Sequence, residues 1–123
     1  MSEVVEHAQL CKYIKDTYPH VFFLSDASGV RMDSLQAMRW KKTRSHNGTP
    51  DLLILAPRNG YHGLMIELKR TGEKLYKRDG VTFKTDHLEE QHEVITLLNK
   101  EGYFATFAIG FEEARRIVDE YLT

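Results

Sequence analysis

A chain of 123 residues has room for one domain with a real buried core and too little for two. No apolar run approaches the roughly 20 residues that span a bilayer, which excludes a helical membrane protein and predicts a soluble one. The net charge of −1 speaks against a uniformly basic nucleic-acid binder, and the single cysteine, Cys11, excludes an internal disulfide and points to a reducing compartment.

The N-terminus, MSEVVEHAQL, opens on acids and has no basic segment followed by an apolar one, so secretion is not signalled. Residues 3–18 place Val4, Ala8, Cys11, Ile14 and Tyr18 at helical spacing ahead of Pro19, which predicts an amphipathic helix. The segment VFFLS, residues 21–25, is short, aromatic and followed by Asp-Ala-Ser-Gly, as suits a buried strand and a turn. Residues 33–44, DSLQAMRWKKTR, predict a basic helix capped by Asp33 or Ser34, and SHNGTP after it a loop. DLLILA, residues 51–56, and HGLMIELK, residues 62–69, read as strands of a hairpin joined through Pro57, Asn59 and Gly60.

Asp79-Gly80 then predicts the tight turn of a ribbon. A helix opens at Thr85 or Asp86, where Asp86 and Glu89 resemble a capping box, and runs to about Lys100 before Gly102 stops it. YFATFAIG, residues 103–110, is a nearly continuous apolar strand, and residues 111–122 form a closing helix. Helices alternating with strands, two of them in a hairpin, imply a mixed sheet covered by helices.

The chemistry concentrates in GTPDLLIL and GLMIELK. Side chains alternate across a strand, so Met65, Glu67 and Lys69 share one face and Leu64, Ile66 and Leu68 the other. Closing the hairpin brings residue 51 opposite the mid-to-late sixties, so Asp51 approaches Glu67 without help from a distant segment. Two carboxylates and an ammonium on one patch suit magnesium, which takes one or two carboxylates and leaves the remaining positions to water and phosphate. The same parts serve phosphodiester hydrolysis, with Lys69 orienting water or steadying the developing oxyanion. The competing account of a strand ending in Glu-x-Lys is an exposed ion pair of little worth.

Charge distribution qualifies the neutral total. Residues 31–48 carry Arg31, Arg39, Lys41, Lys42 and Arg44 against Asp33, and residues 69–84 carry Lys69, Arg70, Lys74, Lys77, Arg78 and Lys84 against Glu73 and Asp79, so each stretch is net +4. Both flank the acidic motif, as a DNA track would; a solvated polar face is the alternative.

These residues resemble the VRR-NUC family, the virus-type replication and repair nucleases of the PD-(D/E)xK superfamily. The resemblance runs through an early helix with Glu6 and Gln9, GTPDLLIL at 48–55, HGLMIELK at 62–69, LEEQ at 88–91 and the EGY before the last strand, and so covers almost the whole chain. It is nearest to the stand-alone, phage-type members. The resemblance implies an α/β restriction-endonuclease-like fold, an αβββαβ core with helices on both faces, and dependence on magnesium or manganese. It implies metal binding by Asp51, Glu67 and the carbonyl of Leu68, with Lys69 as the catalytic lysine. It also makes junction or branched-DNA cleavage in replication, recombination or repair the expected activity. A homodimer is expected with it, since two symmetric cuts need two sites about a twofold axis. The expected location is the cytoplasm of a bacterium or of a phage-infected host cell.

Gln91 falls on the apolar face of its helix with Leu88, Ile95 and Leu98, where a polar group needs a partner. Either backbone satisfies it or it bonds the metal water, the lysine or a phosphate, and the resemblance favours the second. Glu6 is either an ordinary first-turn glutamate or an inward-facing acid. Resemblance to the family's N-terminal metal-site glutamate favours Glu6 as the further acid, with Glu3 as the alternative. The six histidines form no HExxH pattern, which leaves zinc without support. His46 and His62 are candidates for phosphate contact against the commoner surface role, and Trp40 is expected in the core rather than stacked on a base. Two competing functions remain: a DNA-binding subunit of the same fold without catalysis, and a protein-interaction domain.

Overall fold

The computed structural model describes residues 2–25 and 34–123. The expected turn at 26–29, Arg31, the cap at Asp33 and the side chains of Ser34 and Trp40 lie outside the described residues. In chain order the elements are α1 (Glu3–Thr17), β1 (Phe23–Ser25), α2 (Ser34–Lys41), β2 (Leu52–Ile54), β3 (Leu64–Lys69), α3 (Asp86–Lys100), β4 (Phe104–Ile109) and α4 (Phe111–Leu122). The strands form one mixed sheet in the order β1-β2-β3-β4, antiparallel except for the last pair.

The β2–β3 hairpin pairs Leu52 with Ile66 and Ile54 with Leu64. Beyond it, Arg58 and Tyr61 exchange backbone hydrogen bonds around Asn59 and Gly60, whose φ angles of 53° and 84° are those a two-residue hairpin turn demands. From β3 the chain crosses over through α3 and returns as β4, parallel to β3 with Glu67 beside Phe107.

All six residues of β3 are buried, because both faces of the sheet are covered. Leu64, Ile66 and Leu68 belong to the core that Leu10 and Ile14 of α1 and Ala114 and Val118 of α4 complete. On the other face Met65 packs with Ile95 of α3 and Ala105 of β4. The period-two alternation of β3 thus sends its apolar half to one helical layer and Glu67 and Lys69 toward the α3 layer.

Three polar contacts fix the helices. Tyr13 and Tyr18 both donate to the Asp119 carboxylate, tying α1 to α4. Asn99 at the end of α3 brackets Ala105, donating to its carbonyl and accepting from its N–H, which satisfies backbone at the edge strand β4. Thr85 caps α3 by accepting from the Leu88 N–H at 3.1 Å, so the cap is Thr85 rather than an Asp86–Glu89 box. The ribbon after β3 turns at Gly80, with Asp79 accepting from the Val81 and Thr82 N–H groups. Helix α2 is exposed along its described residues, including Leu35 and Met38.

Candidate active site

Extending the hairpin register by one residue sets Asp51 beside Glu67. Asp51 Oδ2 accepts the backbone N–H of Leu68 at 2.9 Å, which pins the acid against the end of β3. Glu67 is 3% exposed; its Oε1 accepts from Gln91 Nε2 at 2.7 Å and lies 3.4 Å from Lys69 Nζ. Lys69 is itself buried, which removes the account of Glu-x-Lys as a solvent-facing pair. Gln91 is buried on α3 as its helical face predicts, and it bonds a carboxylate rather than backbone.

The loop before Asp51 is held by contact with the same helix. Gly48 adopts a φ of +82°, and a Cβ there would stand 3.1 Å from the backbone of Gln91, so glycine suits this close approach of the loop to α3. Asp51, Glu67, Lys69 and Gln91 therefore reach one place from a loop, a strand and a helix. They line a cavity of about 430 Å3 together with Glu3, His7, Arg44 and His87.

Electrostatically the site is short of positive charge. Burial first, and then the neighbouring Asp51 charge, push the Glu67 carboxyl up to about 9, with Lys69 opposing. Burial likewise raises Asp51 against the Leu68 N–H, and burial followed by the Asp51 charge raises Glu3. Glu67 Oε2 and Gln91 Oε1 are buried with no hydrogen-bond partner. Two adjacent buried carboxylates with an unused oxygen form a donor set that fits a hard divalent cation. Among the described residues no three His, Cys, Asp or Glu side chains gather as metal ligands.

The geometry does not bring Glu6 to this pair. Its carboxylate accepts from the Thr71 N–H at 2.7 Å, the Thr71 hydroxyl at 2.5 Å and the Phe111 N–H at 3.2 Å. Glu6 thus joins α1 to the end of β3 and to the first residue of α4, which has no side-chain cap of its own. Hydrogen bonding to the Thr71 hydroxyl, more than any other contact, holds its carboxyl below the usual range. Glu3, one turn earlier, is the helix acid that lines the cavity.

Of the other expected residues, Leu68 contributes its N–H to Asp51 and its side chain to the core. Arg44 lines the cavity, whereas Arg39, Lys41 and Lys42 lie on or just after the exposed α2. Lys74 lines an adjoining groove, and Lys77 and Arg78 sit at the exposed ribbon turn. His62 packs on Tyr103 and Gly102, away from the acids, and His46 lines a separate concavity with Glu90 and Glu93. His87 and His7 belong to no motif in the sequence, and only spacing signals them. His87 lies four residues before Gln91 and His7 four after Glu3, each on the face of a residue already singled out.

Against solved structures the chain is similar to one described as a VRR_NUC domain protein, with a TM-score of 0.73 and 25% identity over 99% of this chain and 88% of that one. This likeness supports the resemblance to the VRR-NUC family that the motifs carry. No family model and no curated protein matches the sequence. The mixed four-stranded sheet with its helical layers is consistent with a VRR-NUC nuclease fold, so the motif order read from the sequence and the three-dimensional likeness agree. The acid-bearing hairpin and the glutamine helix meet in one cavity, joined by the Gln91–Glu67 hydrogen bond.

Proposed function

We propose that this VRR-NUC-like protein is a magnesium- or manganese-dependent endonuclease that hydrolyses DNA phosphodiester bonds. The observation that carries the reading is the buried Asp51–Glu67 pair with Lys69 and Gln91 in one open cavity. Buried paired carboxylates are costly, and a fold keeps them where a cation is to be held.

Asp51 and Glu67, with the Leu68 carbonyl, are the proposed holders of the metal, and Glu3 lines the same cavity in the place first expected for Glu6. When bound, the cation lowers the pKa of a water and offsets charge on the transferring phosphate. The protein's own part is positional. The Leu68 N–H holds Asp51, the Gln91 amide holds Glu67, and Lys69 directs its ammonium to where charge builds on the attacked phosphate. The phosphorus gains a bond to the water oxygen and loses the bond to the leaving sugar oxygen. Arg44, the basic residues of α2 and those of the ribbon supply phosphate contacts around the cavity. Branched DNA such as a four-way junction, cut by a homodimer in replication or repair, is the proposed substrate setting.

The test is cleavage of duplex, nicked, flapped and four-way DNA in magnesium, manganese, calcium and chelator. Cleavage with magnesium or manganese, and calcium-supported binding without cutting, is the expected pattern. Robust cutting in chelator contradicts the reading, and salt-sensitive binding with no cutting under any metal assigns the chain as a DNA-binding subunit instead.

A further inference from the structure

A second concavity of about 440 Å3 adjoins the active-site cavity and shares Lys69 and His87 with it. Its walls carry Arg70, Lys74 and Lys84, with Glu73 the one acid among its lining residues. Among the described residues Arg70, Lys74 and Lys84 make no ion pair, so their charge is available to a partner. An opening of that volume has room for a nucleotide or two of a strand.

The ribbon that supplies Lys74 and Lys84 also carries an aromatic pair. Tyr76 and Phe83 face each other across it, with rings stacked at 4.9 Å and 28°. Phe83 is backed in turn by His92 and Phe107, which anchors the pair to α3 and β4. Tyr76 stays 40% exposed, two residues from a groove lysine. A basic groove whose lysines stand on the same ribbon as an anchored, partly exposed ring is a combination that suits unpaired nucleic acid, by charge on the phosphates and stacking on a base.

We propose, resting on the nuclease reading above, that this groove binds the single-stranded continuation of the cleaved strand next to the scissile phosphate. Its phosphates lie on Arg70, Lys74 and Lys84, and its first unpaired base stacks on Tyr76. His87, hydrogen-bonded to Gln91 at 3.2 Å, marks the passage from the active-site cavity into the groove.

The test compares binding, in calcium, of a duplex with a short single-stranded tail and the same duplex with blunt ends. The proteins are wild type, the double variant Lys74→Glu/Lys84→Glu, and Tyr76→Ala. Wild type is expected to prefer the tailed DNA by about tenfold or more. The double variant should lose that preference, and its salt slope on tailed DNA should fall by about 1.4, from about 0.7 per single-strand phosphate neutralised. Tyr76→Ala should weaken tailed binding by about fivefold or more, the lower end for removing one base stack. Equal binding of tailed and blunt DNA by wild type, or a double variant that keeps the wild-type preference and slope, overturns the proposal. Wild-type affinity in Tyr76→Ala overturns its stacking half. A protein that cuts in magnesium but shows no tail preference refutes the groove and leaves the nuclease reading intact, whereas absence of all DNA binding refutes both.

Discussion

One helical turn of α1 separates two glutamates with different work. Glu6 spends its carboxylate on Thr71 and Phe111, so Glu6→Ala strands two backbone donors and should cost about 2–3 kcal/mol of stability. Because its folded pKa lies below the ordinary carboxyl value, its contribution is present above about 4.5 and is lost as pH falls through the lowered folded value. Urea denaturation across pH 2–7 should therefore show a flatter acid limb in Glu6→Gln than in wild type; identical limbs would show that Glu6 holds nothing. Glu3→Gln should leave stability nearly unaltered and slow cleavage instead. Lys69 carries the sharpest residue-scale prediction. Lys69→Met should lower the single-turnover rate roughly 100-fold to 1000-fold, the cost of one electrostatic contact made as charge develops. Calcium-supported DNA affinity should change little by comparison, since one ammonium among many contributes modestly to phosphate binding. A variant that binds weakly yet cuts normally once bound would reduce Lys69 to a phosphate contact.

At the scale of elements, the site depends on a loop lying against a helix. Replacing Gly48 by alanine forces a side chain into φ +82° and against the Gln91 backbone, so Gly48→Ala should cost about 1–2 kcal/mol or more in thermal unfolding and lower the cleavage rate through Gln91. Wild-type behaviour in both would show that the loop does not seat on α3. Truncating Ile14 of α1, fully buried in the core shared with α4, to alanine should cost about 2–5 kcal/mol with metal-dependent chemistry retained in the folded fraction. The elements were legible in the sequence because their signals are local: apolar spacing up to Pro19, Asn59-Gly60 between two apolar runs, and alternation along 64–69. Alternation and hairpin closure likewise bring Glu67, Lys69 and Asp51 together from sequence alone. What the sequence could not carry was helix rotation. Glu3 and Glu6 lie only about 60° apart around α1 and about 4.5 Å apart along it, so which of them meets the site depends on how α1 packs on β3 and α4, a tertiary matter. His87 escaped for a related reason, since its place depends on how α3 lies over the sheet.

For the whole molecule, a net charge of −1 conceals two basic stretches that flank the acidic motif along the sequence. Charge reversal at Lys41 and Lys42 of the α2 region should weaken DNA binding and flatten its salt dependence by about 0.9 for each duplex phosphate no longer neutralised, read by titration across salt concentrations. An unchanged slope would place the DNA elsewhere. The central claim is that the Asp51–Glu67 pair holds the metal that drives hydrolysis. The measurement that tests it most directly is single-turnover cleavage of structured DNA in magnesium by Asp51→Asn and Glu67→Gln, with folding and calcium-supported binding measured on the same preparations. Both variants should fold and bind DNA without cutting it; wild-type turnover in either one would mean that the pair does not hold the metal.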